Sequence, residues 1–189
     1  MASAAARRPA KATATPTLLI PDAGPLFSLA ACDCLGLLLN FECAITDVVW
    51  RETAGRAAAP GASMEARAIA EFLLRHPRVK VRETQLGALT AGLMTGLKTD
   101  TSKLRNLGEL SIHSLLIDLR SASPAVNAVV LFEDHWFSHR LAHFSAGVTL
   151  IGTAAFLIAM EALGYLHAAD AACKAIRQRR PTVAGPVAG

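Results

Sequence analysis

A chain of 189 residues, 52% hydrophobic and 18% charged, has the length and apolar content of one ordinary domain with an ample core, which excludes disorder throughout. The formal net charge of +4 comes from the ends: Arg7, Arg8 and Lys11 lie in 1–16, and Lys174, Arg177, Arg179 and Arg180 in 171–189, with no acid in either stretch. All 15 acids fall within 17–170 beside 12 bases, so the body lacks the strong positive footprint of a typical nucleic-acid reader.

The first element is a short apolar run over Thr17–Pro21, expected as a buried strand. Asp22-Ala23-Gly24-Pro25 punctuates it, and Pro25 suits the first turn of a helix expected to reach about Leu39. A strand over Cys43–Ile45 follows, then a helix capped by Thr46 or Asp47 and running to about Ala58. Pro60-Gly61 is a turn, and Ser63–His76 is an amphipathic helix with Ile69, Phe72 and Leu73 on one face. Pro77 stops it before a strand over Val79–Val81. Thr84–Leu97 reads as a helix weakened by Gly87 and Gly92, and 98–105 as a polar loop. Leu107–Arg120 is a helix with Ile112, Leu115, Leu116 and Leu119 in register. A strand over Ala125–Phe132, a helix over His135–Ser145, a strand over Val148–Ile151 and a helix over Thr153–Leu166 complete the body. Strands alternating with helices predict an α/β fold: three layers, α/β/α, around a central parallel sheet of four to five strands. Residues 1–16 and 171–189, rich in small and basic residues, are expected as flexible tails.

Cys32, Cys34, Cys43 and Cys173 contain no CxxC pair, and no signal peptide precedes them; reduced thiols and a cytoplasmic location are expected. The N-terminal MASAAARRPAKATATP has the basic, acid-free composition of a transit peptide, but its prolines and missing amphipathic pattern fit a disordered tail better. Ala146–Met160 is uncharged, yet 15 residues fall short of the ~20 that cross a membrane, so no membrane association is expected.

In a parallel sheet, ligands bind outside the carboxyl ends of the strands where strand order reverses. Asp22 follows the first strand, and Glu133 and Asp134 follow the strand ending at Phe132. Glu109 lies in the first turn of a helix, and Glu52 shares a face with Val48. Each has a plainer role: Asp22 as a turn residue, Glu109 as half of a capping box with Asn106, Asp134 as a helix cap, Glu52 as a solvated acid. Brought together, such acids repel one another, and a hard divalent cation such as Mg²⁺ or Mn²⁺ resolves the repulsion. His135, His139 and His143 share one helix face, either as an exposed stripe beside this crevice or as transition-metal ligands.

The blocks Asp22-x-x-Pro25-Leu26, Ile45-Thr46-Asp47-Val48-Val49-Trp50-Arg51-Glu52, Leu107-Gly108-Glu109-Leu110-Ser111, Val129-Val130-Leu131-Phe132-Glu133-Asp134 and Gly147-x-x-x-Ile151-Gly152-Thr153 together resemble the PIN domain, over about 17–166. The resemblance implies a PIN-like body over 17–170 and a Mg²⁺- or Mn²⁺-dependent endoribonuclease that hydrolyses RNA phosphodiesters with a metal-activated water. Its acids would be Asp22, Glu109 and Asp134, with Glu52 and Glu133 as further candidates. The toxin relatives imply an antitoxin protein partner and a homodimer. Ala23 stands where the family often has Ser or Thr, and His135-Trp136-Phe137-Ser138 where a further acid often lies. The alternative is therefore a catalytically degenerate module that binds RNA or protein.

Overall fold

Five parallel strands form the centre: β1 Thr17–Pro21, β2 Glu42–Thr46, β3 Lys80–Arg82, β4 Asn127–Phe132 and β5 Val148–Gly152, in the order β3-β2-β1-β4-β5. The helices are α1 Ala23–Ala31, α2 Asp47–Glu52, α3 Met64–Arg75, α4 Gln85–Gly96, α5 Leu107–Ser121, α6 Thr153–Ala162 and α7 Ala169–Arg179. This computed structural model describes residues 17–96, 106–122, 126–133 and 147–181. The helix expected over 135–145, with Asp134 and its three histidines, lies outside the described residues, as do 1–16, the loop at 98–105 and 182–189.

The expected α/β/α architecture holds. One outer layer joins α1 to α3, α6 and α7; the other joins α5 to α2 and α4. The sheet is sandwiched, so its central strands are buried on both faces: Leu18, Leu19 and Ile20 on β1, Ala44 and Ile45 on β2, Val130 and Leu131 on β4. Leu26, Leu29, Ile69, Ile112 and Leu157 close over them from the helices. Each such side chain contributes about 1.5–3 kcal/mol by leaving water.

Several expected boundaries moved, each for a local reason. The first helix ends at Ala31 rather than near Leu39, because Asp33 adopts φ 56°, a left-handed turn no helix continues through. A 3-10 helix, Leu35–Asn40, carries the chain on to β2, so Cys32 and Cys34 sit half-buried at this break rather than within a helix. The second helix stops at Glu52 rather than Ala58, where Thr53 leaves helical geometry and its Oγ1 donates back to the Val49 carbonyl at 2.7 Å. α6 starts at Thr153 as expected, with Gly152 as its N-cap, but ends at Ala162 rather than Leu166.

The largest correction concerns the C-terminus. The stretch from 171, expected as a flexible tail, forms most of α7. Ala169, Ala172 and Ile176 fall on one face and are buried against the core, which fixes the helix although most of its surface is polar. Among the described residues no helix is long and apolar enough to cross a membrane.

Candidate functional site

The order β3-β2-β1-β4-β5 places β1 beside β4, with connections leaving in opposite directions, so the carboxyl ends of these two strands flank the switch point. Asp22 stands there, its N–H donating to the Leu131 carbonyl of β4 at 3.0 Å and its carbonyl accepting from Leu26 N–H at 3.2 Å to start α1. Pro25 lacks an N–H where the first turn has no use for one. The Asp22 side chain makes no capping hydrogen bond, so the plain turn-residue role does not account for it. The residue is 6% exposed.

Three further acids act on it. Burial pushes the Asp22 carboxyl up to about 8; the charges of Glu109, Glu52 and Glu133 push the same way, and the Ala23 N–H opposes them. Glu52 is also raised, by burial and by Glu109, against the relief of Arg56, Arg51 and the Gly108 N–H. Among the described residues no Lys, Arg or His forms an ion pair with Asp22.

Glu109 reaches this cluster because α5 begins unusually. Asn106 takes φ 62° and makes no side-chain cap, so the capping box expected between Asn106 and Glu109 does not form. Ser111 holds the turn instead. Its hydroxyl donates to the Gly108 carbonyl at 2.6 Å, which leaves it to accept from Thr46 Oγ1, also at 2.6 Å, while Thr46 Oγ1 accepts from Val49 N–H. The end of β2, the start of α2 and the start of α5 are thus tied by two buried hydroxyls.

Gly108 occupies the point where α5 faces the acids. A Cβ there would lie 2.8 Å from Glu52 Oε2 and 3.2 Å from Asp22 Oδ1. A glycine in a first helical turn costs about 1 kcal/mol relative to alanine, and here it keeps a notch open between two carboxylates. The donors are all hard oxygens under mutual repulsion, the chemistry that suits Mg²⁺ or Mn²⁺ and not a soft metal. Among the described residues no group of three or more His, Cys, Asp or Glu side chains is arranged to hold an ion by itself. Asp134, the third acid expected for such a set, lies outside them.

Glu133, the other further candidate beside Glu52, has both carboxylate oxygens engaged. Its Oε1 accepts from Thr153 Oγ1 at 2.8 Å, and its Oε2 from Arg180 Nη1 at 3.2 Å. Thr46, Gly108, Ser111 and Thr153 lie in the blocks quoted from sequence, but neither they nor Arg180 were given a part in the site there. Gly108 carried a signal, a helix-weakening residue beside an acid; Arg180, 47 residues beyond Glu133, carried none.

The fold and the crevice define a three-layer α/β/α protein with an acidic site at its switch point. Neither a family model, nor a curated protein, nor a solved structure matches the chain.

Proposed function

We propose that the chain is a divalent-cation-dependent endoribonuclease of the PIN type, acting at the crevice of Asp22, Glu52 and Glu109, with Asp134 as the further acid. The observation that carries this reading is Asp22: a buried carboxyl pushed up to about 8, facing three acids and no ion-paired base among the described residues. A fold that retains such repulsion without function gives up stability, and strongly perturbed groups in a crevice mark functional sites. When bound, the cation supplies positive charge for a phosphodiester and activates water toward it. The chain's own contribution is placement. Asp22 is fixed by β1 and α1, Glu52 by the end of α2, and Glu109 by the hydroxyl-tied turn of α5. The Gly108 N–H, in the first turn of α5, steadies the Glu52 charge.

The test is cleavage of single-stranded RNA with Mg²⁺ or Mn²⁺, beside thermal melting with each cation and with EDTA. Cleavage that EDTA abolishes, with a cation-dependent rise in Tm, is the expected result. The second reading is a non-catalytic PIN-like binding module, favoured by the engagement of Glu133 with Arg180 and Thr153. RNA binding without cleavage and without a cation-dependent melting shift would establish it over the nuclease.

Gly108→Ala separates site from scaffold. The added methyl displaces Glu52 Oε2, so the cation-dependent rise in Tm should shrink by at least half. The Tm in EDTA should change by only a few degrees, because alanine's helix preference of about 1 kcal/mol offsets the crowding. An undiminished cation response would remove Glu52 from the site.

A further inference from the structure

Arg180 follows the last turn of α7, and its side chain turns toward the acidic crevice. Nη1 donates to Glu133 Oε2 at 3.2 Å, to the Gly24 carbonyl at 2.8 Å and to Ser28 Oγ. The guanidinium also lies over the Phe27 ring, 5.7 Å from its centroid. Gly24, Phe27 and Ser28 all belong to α1, the helix that Asp22 opens. Glu133 follows β4, whose Leu131 carbonyl holds the Asp22 N–H. One cation therefore bridges the two chain segments that place Asp22.

Glu133 is close enough for its charge to bear on Asp22. Both of its oxygens are nevertheless committed, one to Thr153 and one to Arg180. Its side chain is 16% exposed and that of Arg180 23%, so the pair is poorly screened by water. Gly24 permits the approach: a Cβ there would stand 3.0 Å from Glu133 Oε2.

We propose that Arg180 is a positioning residue of the acidic site: it holds Glu133 out of the cation-ligating set and cancels most of its charge, so that the remaining acids alone set the affinity for a divalent cation. This rests on the divalent-cation reading above. Removing Arg180 frees a carboxylate and adds a negative charge beside the site. Removing Glu133 leaves a guanidinium there with nothing to balance it. The two changes should therefore move cation affinity in opposite directions. A strut that served stability alone would move affinity in neither case.

The experiment is calorimetric titration of Mn²⁺ alone into the full chain and its variants, each shown to be folded by circular dichroism. Arg180→Gln should bind Mn²⁺ roughly five- to tenfold more tightly than the parent, and Glu133→Gln more weakly by a similar factor. The double variant should return to within about twofold of the parent, the two changes cancelling. Arg180→Lys, which keeps the charge but not the planar fork, should also stay within about twofold while melting lower. Affinities in Arg180→Gln and Glu133→Gln that are unchanged, or that shift in the same direction, overturn the role of Arg180 and leave the cation site standing. A parent that takes up no Mn²⁺ overturns the cation reading, and this proposal with it. Should Arg180→Gln fail to fold, the other two singles decide: Glu133→Gln must weaken binding and Arg180→Lys must preserve it.

Discussion

Replacing Asp22 with asparagine is expected to lower divalent-dependent RNA cleavage by at least about a hundredfold while raising the Tm of the cation-free protein. Asparagine keeps the shape and tolerates the same backbone, but it offers a cation no charge. The gain in stability has a definite pH dependence. The Asp22 carboxyl is raised from 3.8 to about 8 on folding, chiefly by burial and then by Glu109. Its favourable, protonated state is fully available below about pH 4, and that contribution is lost as pH rises toward 8. Parent and variant should therefore melt together near pH 4. The gap should open steadily to pH 8, reaching about 5 °C in EDTA, and then stay level. Saturating Mn²⁺ should close or reverse it, since only the parent gains from the ion. A variant that cleaves like the parent and is still stabilised by the cation would remove Asp22 from the site.

Gly87→Ala should be the most damaging single methyl addition to the scaffold. A Cβ at Gly87 would lie 1.7 Å from Asp47 Oδ2 and 2.3 Å from Asp47 Cγ, so the whole carboxylate must move. That carboxylate accepts from Arg51 Nη2 at 3.0 Å and from Thr84 Oγ1 at 2.9 Å. Arg51 Nη2 also donates to the Gly87 carbonyl at 2.9 Å, and Thr84 Oγ1 accepts the Gly87 N–H at 3.0 Å. Displacing Asp47 disturbs the knot that ties α2 to α4. Overpacking and lost charge-assisted bonds, less alanine's helical advantage, leave about 2–3 kcal/mol of destabilisation and a Tm lower by about 6–9 °C. Gly92→Ala, in the same helix, meets nothing within 4 Å and should be neutral or stabilising by up to about 1 kcal/mol. Urea melts of the two variants should thus move in opposite directions; a shared direction would mean that helix preference, not the Asp47 contact, governs α4.

Periodicity and punctuation located most elements because they express local physics. Thr17–Pro21 was legible to the residue as an apolar run closed by Asp-Ala-Gly-Pro, and the helix expected over Ser63–His76 lies at Met64–Arg75, with those two residues as its caps. The site was legible in outline, since strand ends in a parallel sheet gather whatever acids follow them. Asp22, Glu52 and Glu109 do come close enough to perturb one another. What escaped depended on distance in sequence or on a small side chain. The left-handed turn at Asp33 breaks an otherwise apolar stretch, and its signal was a single residue, an Asp, a type that tolerates this geometry. The last helix buries mostly alanine, which resembles linker composition unless its docking surface is known. The pairing of Glu133 with Arg180 joins β4 to the C-terminus, a contact that no local pattern encodes.

The sheet order also governs when the protein can become itself. β1 is made first, yet it lies in the middle, with β4 as one of its two neighbours. A nascent chain that has emerged only through β3 can pair β1 with β2 and β2 with β3, but leaves the other edge of β1 open and Asp22 without its backbone anchor at Leu131. Closing that edge must wait for β4, more than a hundred residues after β1 in the chain, and needs a long-range loop closure, the slow kind of step in folding. The Arg180 bridge comes later still. Translation therefore delivers the crevice only once β4 has been made, and a chain truncated before it would expose a sticky strand edge but not an assembled site.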